Sequence, residues 1–195
     1  MNANVGMSYA VAAVVDTYTP GSAITYETGF VVGEARGANV TWNAEDSEFY
    51  GDDVLLDSDV SPTGYSIEIE TAGLALSVRE KLLGEVKGSG DEYKITGGNP
   101  PDVGFGYVKT MRDNSSGTVV TSYEGWWYYK CKFGQPNEEA RTKEKSMEWR
   151  TPTITGKGAG IFQAAAQEAP DFAEHKKFAT LALAKAYING KAGIT

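Results

Sequence analysis

Hydrophobic and polar residues alternate most regularly between residues 65 and 70. The apolar positions are Tyr65, Ile67 and Ile69, and the polar positions are Ser66, Glu68 and Glu70. A period of two residues is typical of a β-strand with one buried face and one solvated face. The pattern therefore predicts a strand whose solvated face is acidic.

Other segments that are apolar, β-branched or alternating predict further strands. They cover residues 9–15, 25–33, 39–43, 103–112, 118–133 and 145–155. The intervening segments contain many of the 23 glycines, which favour tight turns. Residues 113–117, with the sequence DNSSG, predict the turn of a hairpin.

One short helix is predicted in the middle of the chain, over residues 75–83. Leu74, Val78 and Leu82 follow one another at intervals of four residues. Gly84 comes after the last apolar residue, as glycine does at many helix C-termini.

A second helix is predicted near the end of the chain. Asp171 and Glu174 match a capping box, and Gly190 is expected to end the helix. Its apolar stripe consists of Phe178, Leu181 and Ala182. With the strands, these segments predict a mainly β fold of two packed antiparallel sheets, a sandwich or partly open barrel, with one short flanking helix and a C-terminal helix.

The length of 195 residues fits a single core. We expect a β domain over residues 1–160. Residues 161–195 are expected to form a C-terminal extension, helical for the most part, which is either part of the same unit or an arm.

An acidic segment covers residues 45–61. It is interrupted by apolar residues and is expected to be a long loop. Loops of this length in compact domains usually have a function, and exposed apolar residues mark interfaces. We therefore expect contacts between subunits from Phe49, Tyr50, Asp52, Asp53, Leu55 and Leu56.

The composition limits which partners the protein is expected to bind and in which compartment it is expected to be made. The net charge is −8 and the isoelectric point is about 4.8, which disfavours binding to nucleic acid through clustered lysine and arginine. The only cysteine, Cys131, cannot form an intrachain disulfide, which fits synthesis in a reducing cytoplasm. Neither a signal peptide nor an apolar segment of about 20 residues is evident, so no membrane association is expected.

Residues that could support catalysis are scarce. The only histidine, His175, is expected on the polar side of the C-terminal helix, and Cys131 is expected to fill the core. The acidic segment lacks the residue order of a calcium loop, and residues 156–160, GKGAG, lack the spacing of a phosphate-binding loop. We therefore expect no enzyme activity, no cofactor and no metal.

Four consecutive aromatic residues, Trp126, Trp127, Tyr128 and Tyr129, form the strongest aromatic cluster. In a strand they would make both faces aromatic. Such a strand fits a core or a contact between subunits. The alternative is a carbohydrate-binding platform that uses Trp126 or Trp127.

Residues 128–155, YYKCKFGQPNEEARTKEKSMEWRTPTIT, resemble the phi13-type major tail proteins of phages that infect Gram-positive bacteria. The shared features are a Tyr-Lys-x-Lys-Phe strand, a polar loop with Glu-Glu and Thr-Lys, and a strand that ends in Thr-Pro-Thr. Upstream blocks resemble the family in the same order, namely residues 49–53, 67–84 and 103–107. The resemblance covers roughly residues 5–158, and the segment from about Ile161 departs from it.

The resemblance implies a structural subunit of a phage tail tube, with no catalytic residues. Subunits would form hexameric rings that surround a lumen and stack through long loops and terminal arms, and the acidic segment at residues 45–61 would be the loop between rings. The lumen would conduct DNA without specific binding during ejection, and Glu68 and Glu70 are candidates to line it. The implied partners are further copies of the chain, the tape measure protein and the tail completion and tip proteins. The implied location is the virion tail, after synthesis in the bacterial cytoplasm.

Two alternatives remain at this point. One is the tube of a contractile tail or of a tailocin. The other is a β-sandwich tail component that binds carbohydrate.

Overall fold

The computed structural model describes residues 2–33, 35–51, 54–114, 118–136 and 151–194. Its strands are β1 (Asn2–Thr17), β2 (Thr25–Tyr26), β3 (Phe30–Gly33), β4 (Ala35–Gly51), β5 (Val54–Thr71), β6 (Val86–Lys87), β7 (Tyr93–Lys94), β8 (Val103–Asp113), β9 (Val120–Phe133), β10 (Thr153–Gly158) and β11 (Ala173–Phe178). Its helices are α1 (Leu76–Leu83) and α2 (Leu181–Ala192). The prediction of a mainly β protein with one short helix and a C-terminal helix is confirmed.

Within these ranges, nine strands join one large antiparallel sheet. Its hydrogen-bonded order is β2-β1-β8-β9-β10-β5-β4, with β3 added on β1 and β11 added on β9. Strands β6 and β7 form a separate two-stranded sheet. Side chains from β1 and β5 meet in one core although three strands separate them along the sheet, so the large sheet curls around its inner face.

The inner face of the large sheet holds the first core cluster. The alternation at residues 65–70 is confirmed, because Tyr65, Ile67 and Ile69 are fully buried while Glu68 and Glu70 are exposed. Helix α1 packs against the same core through the apolar residues that its spacing predicted. It ends at Gly84, whose φ of +72° is the left-handed conformation that glycine favours.

Helix α2 covers part of the outer face of the sheet. Its buried residues Ala184, Ile188 and Ala192 pack in a second core cluster with Val11, Ala13, Val108 and Trp127. The helix approaches β9 at Gly125, where an added Cβ would come within 2.9 Å of the Tyr187 ring. A side chain at this position would therefore push the helix away from the sheet.

The predicted start of the C-terminal helix is wrong. Residues 173–178 form strand β11, which pairs with β9 from Ala173 opposite Tyr128 to Phe178 opposite Tyr123. The local capping pattern is overridden because pairing with β9 satisfies the backbone of this segment. The helix instead begins after Thr180, whose hydroxyl accepts a hydrogen bond from the Leu183 N–H at 3.4 Å.

The predicted end of that helix also shifts. Gly190 lies inside α2, and the helix ends at Gly193 with a φ of +66°. Because β11 joins the large sheet and α2 packs on it, residues 173–192 belong to the same structural unit as the β domain.

Three other segments differ from the predicted strands or lie partly outside the described ranges. The predicted strand at residues 25–33 is divided into β2 and β3. The predicted strand at residues 145–155 is described only from residue 151, and β10 begins at Thr153. The turn at residues 113–117 lies mostly outside the described residues, although β8 and β9 on either side pair antiparallel.

Candidate functional site

The acidic segment at residues 45–61 is a β-hairpin, and the predicted long loop is wrong. Backbone pairing continues from Glu45 opposite Ser61 to Gly51 opposite Val54. The two strands form a ladder with a register shift between Phe49 and Tyr50. This pairing meets the hydrogen-bonding needs of the backbone better than an open loop. The pairing includes Phe49, Tyr50 and Leu55, and Leu56 also lies in β5, whereas Asp52 and Asp53 lie outside the described residues.

This hairpin extends beyond the sheet as a two-stranded ribbon, which we call the arm (residues 43–51 and 54–64). Strand β5 pairs with β10 only as far as Tyr65 opposite Gly158. From Asn43 to Gly51 the arm covers eight residue steps, or about 26 Å at about 3.3 Å per residue. An isolated two-stranded ribbon is marginally stable in water, so an arm of this length is suited to contact another surface.

A second candidate surface is the part of the outer sheet face that α2 leaves uncovered, which we call the polar face. The pairing registers of β4, β5, β10 and β9 place the side chains of the polar face on the same side of the sheet. Its members are Asn39, Thr41, Ser66, Glu68, Glu70, Thr153, Thr155, Lys157 and Lys132. The predicted acidic positions Glu68 and Glu70 therefore share a face with two lysines that the sequence analysis did not identify.

Those lysines belong to a cleft of about 600 Å³ at the ends of β9 and β10, which we call the lysine cleft. Its lining includes Asp102, Lys130, Lys132, Gly134, Thr155 and Lys157. The Asp102 carboxylate lies 3.6 Å from Lys130 Nζ and 3.7 Å from Lys132 Nζ. Lys130 Nζ also lies 4.9 Å from the centre of the Tyr18 ring, a cation–π contact.

The four aromatic residues of β9 are divided between the two cores, as their alternation predicted. Tyr128 packs in the first cluster with Trp126 at its margin, and Trp127 packs in the second with Tyr129 at its margin. Trp127 Nε1 donates to Tyr26 Oη at 3.3 Å, and Tyr26 Oη donates to the Tyr129 carbonyl at 2.7 Å. These contacts give the four aromatic residues of β9 a structural role within the chain.

A carbohydrate platform at Trp126 or Trp127 does not fit this placement. Trp127 is fully buried, and the ring of Trp126 is stacked on His175 at 4.2 Å between ring centres. Lys109 Nζ lies 4.3 Å from the Trp126 ring. A sugar would therefore have no free ring face on Trp127 and would have to displace a partner from Trp126.

Among the described residues, the tryptophan with substantial exposure is Trp42, which the sequence analysis did not identify. Its side chain is 45% exposed and lines a cleft of about 530 Å³ at the base of the arm, together with Val60, Pro62, Pro170 and Phe172. Its ring makes edge contacts with Tyr65 and Phe172. The alternation of Val40 and Trp42 within the predicted strand at residues 39–43 was the available signal.

The two residues considered for catalysis have ordinary structural surroundings. His175 lies on strand β11 and not on a helix, because β11 replaces the predicted start of α2. The Cys131 thiol is buried and donates to the Val103 carbonyl at 3.2 Å. Burial raises the pKa of this thiol far above its usual value, which disfavours the reactive thiolate.

Among the described residues, no group of three or more His, Cys, Asp and Glu side chains is arranged to hold a metal ion. In the same part of the chain, no helix combines the length and the apolar character needed to cross a membrane. No protein-family model matches the chain, and no curated protein matches it.

Proposed function

We propose that this chain is the structural subunit of a phage tail tube. In this proposal, copies of the chain form hexameric rings, the rings stack into a tube, and DNA passes through the lumen during ejection. The chain would be made in the bacterial cytoplasm and would reside in the virion tail. Its partners would be its own copies, the tape measure protein and the tail completion and tip proteins.

The observation that carries the proposal is the arm. The arm extends about 26 Å beyond the point where the sheet pairing ends, and it exposes Glu45 and Val60. Contact with a neighbouring copy would bury its surface and stabilise its pairing. The resemblance to tail proteins assigned a contact between rings to this same segment.

The edge of the large sheet gives further support. Strand β4 ends the hydrogen-bonded path and pairs with β5 alone among the described strands. An open edge can accept a strand from another molecule, and a closed cylinder removes such edges. Rings built from this chain would use the edge of β4 in this way.

The test is the assembly state of the purified full-length chain. Sedimentation velocity and negative-stain microscopy, at increasing protein concentration, should show rings or tubes of constant diameter. A chain that remains monomeric up to its solubility limit and shows no tubes by microscopy would contradict the proposal.

The second candidate function is carbohydrate binding by a tail component, which the exposed Trp42 favours. Its ring borders an open cleft and could stack on a sugar. Titration with a panel of cell-wall oligosaccharides, followed by tryptophan fluorescence, tests this candidate. Binding that is lost in Trp42→Ala and retained in Trp126→Ala would support it, and an absence of binding would dismiss it.

A further inference from the structure

The lysine cleft contains more positive charge than its own residues neutralise. Lys132 on β9 and Lys157 on β10 are directly opposite each other in the sheet. Like charges at such positions repel and destabilise the pairing. Asp102 is the carboxylate that pairs with Lys130 and Lys132, and within the described residues Lys157 has no ion-pair partner.

The nearest acidic residue on the polar face does not neutralise Lys157. Glu68 lies opposite Thr155, two residues from Lys157 along β10, which is a diagonal position. Diagonal neighbours in a sheet are about 7–8 Å apart, and Glu68 and Lys157 form no ion pair. The cleft therefore offers Lys132 and Lys157 to an anionic ligand.

The segment that includes the arm and the two residues between its strands carries nearly all of the net negative charge of the chain. Residues 45–59 contain seven acidic residues and neither lysine nor arginine. Their charge of −7, compared with −8 for the whole chain, leaves −1 for all other residues. The acidic arm and the lysine cleft are thus complementary in charge.

The arm is too far from the lysine cleft of its own chain to bind there. Along β5, Asp59 and Asp57 lie seven and nine residues from Ser66, the residue opposite Lys157. At about 3.3 Å per residue, these separations are about 23 and 30 Å. A lysine side chain cannot cross such a distance, so these complementary charges can meet only between two molecules.

We propose that the lysine cleft binds the acidic arm of a second copy of this chain. This inference rests on the proposed function, because it names the surface that receives the arm in the assembly. The contact joins two different patches, so it is head-to-tail and extends into rings or filaments. It would also cover Lys132 and Lys157, which would otherwise attract DNA phosphates if the polar face lines the lumen.

A charge-exchange experiment on the full-length chain tests the proposal. The cleft variant is Lys132→Glu/Lys157→Glu, the arm variant is Asp57→Lys/Asp59→Lys, and a third chain combines all four changes. Each double variant should raise the critical concentration for tube formation about tenfold or more at low salt. The combined variant should assemble at a lower critical concentration than either double variant, because the exchanged positions again carry opposite charges.

The control is Lys176→Glu/Lys177→Glu, which makes the same charge change at exposed positions of β11. It should leave assembly unchanged, and circular dichroism should show that all variants are folded. Tubes formed by wild type and by the cleft variant at equal concentration would overturn this inference while the proposed function stands. A wild-type chain that forms no tubes would overturn both. If wild type binds a short DNA and the cleft variant does not, while both assemble normally, the lysine cleft binds nucleic acid. That result would also overturn the inference.

Discussion

Gly158 on β10 lies directly opposite Tyr65 on β5, and the ring of Tyr65 covers the glycine so closely that an added Cβ would overlap the ring. Tyr65 Oη reaches across and donates to the Lys130 carbonyl at 3.1 Å. The tyrosine thereby covers the gap that the glycine leaves, next to the point where the arm leaves the sheet.

This relationship predicts the effect of Gly158→Ala. The new methyl group would displace the fully buried Tyr65 ring, which should lower the free energy of unfolding by about 1–3 kcal/mol. Urea denaturation followed by fluorescence measures the change. Gly6→Ala is the control, because no atom lies within 4 Å of a Cβ at that position, and its effect should stay within about 0.5 kcal/mol. Equal stability of both variants would show that the Tyr65 ring is not constrained as described.

Removal of the arm should separate folding from assembly. Residues 46–60 can be replaced by an Asn-Gly turn that joins Glu45 to Ser61, which are opposite each other in the ladder. The shortened chain should remain folded by circular dichroism, because the described residues of both core clusters come from the parts of the chain that are kept. It should fail to form tubes in sedimentation and microscopy. Normal tubes from the shortened chain would contradict the role of the arm.

Charge reversal on the polar face should affect DNA passage more than folding. Glu68→Lys/Glu70→Lys changes exposed residues, so the stability should change little. If these residues line the lumen, the lysines would attract phosphates and slow ejection, most of all at low salt, where screening is weakest. The measurement is the ejection rate of variant particles against ionic strength.

The matched control for that experiment is Glu80→Lys/Glu168→Lys, which makes the same charge change at exposed positions outside the polar face. Its ejection rate should equal that of wild type. An ejection rate of Glu68→Lys/Glu70→Lys that equals the wild-type rate at every salt concentration would show that these residues do not line the lumen.

The buried tyrosines should make the protein sensitive to base. Burial raises the pKa of Tyr26, Tyr65 and Tyr128 far above the ordinary value of 10.0. The folded chain therefore keeps these protons, while the unfolded chain releases them above about pH 10. The contribution of these protonated tyrosines to the free energy of unfolding is fully present below pH 10. It should decrease by about 1 kcal/mol for each tyrosine between pH 10 and pH 11.

Urea midpoints measured from pH 8 to pH 11 test this dependence. Tyr65→Phe removes one titrating group, so its stability curve should fall less steeply above pH 10. The loss of the Tyr65 hydrogen bond lowers the whole curve but does not change this slope. A wild-type midpoint that stays constant up to pH 11 would contradict the prediction.

The sequence by itself determined the elements whose signals are local. The alternation at residues 65–70 identified the buried and solvated sides of β5, because a strand places successive side chains on opposite faces. Gly84 marked the end of α1, because the left-handed conformation there favours glycine in any fold. The aromatic residues of β9 were correctly assigned to two opposite faces for the same geometric reason.

Only the tertiary structure decided the features that depend on partners distant in sequence. The acidic segment became a paired arm because two strands of matching register lie side by side, and His175 lies on a strand because β9 offers an edge to residues 173–178. The lysine cleft joins Lys132 and Lys157, which are 25 residues apart in sequence and meet through the pairing of β9 with β10. Local propensity is weak compared with such pairing, so the surfaces proposed for assembly emerge only when the strands are placed in the sheet.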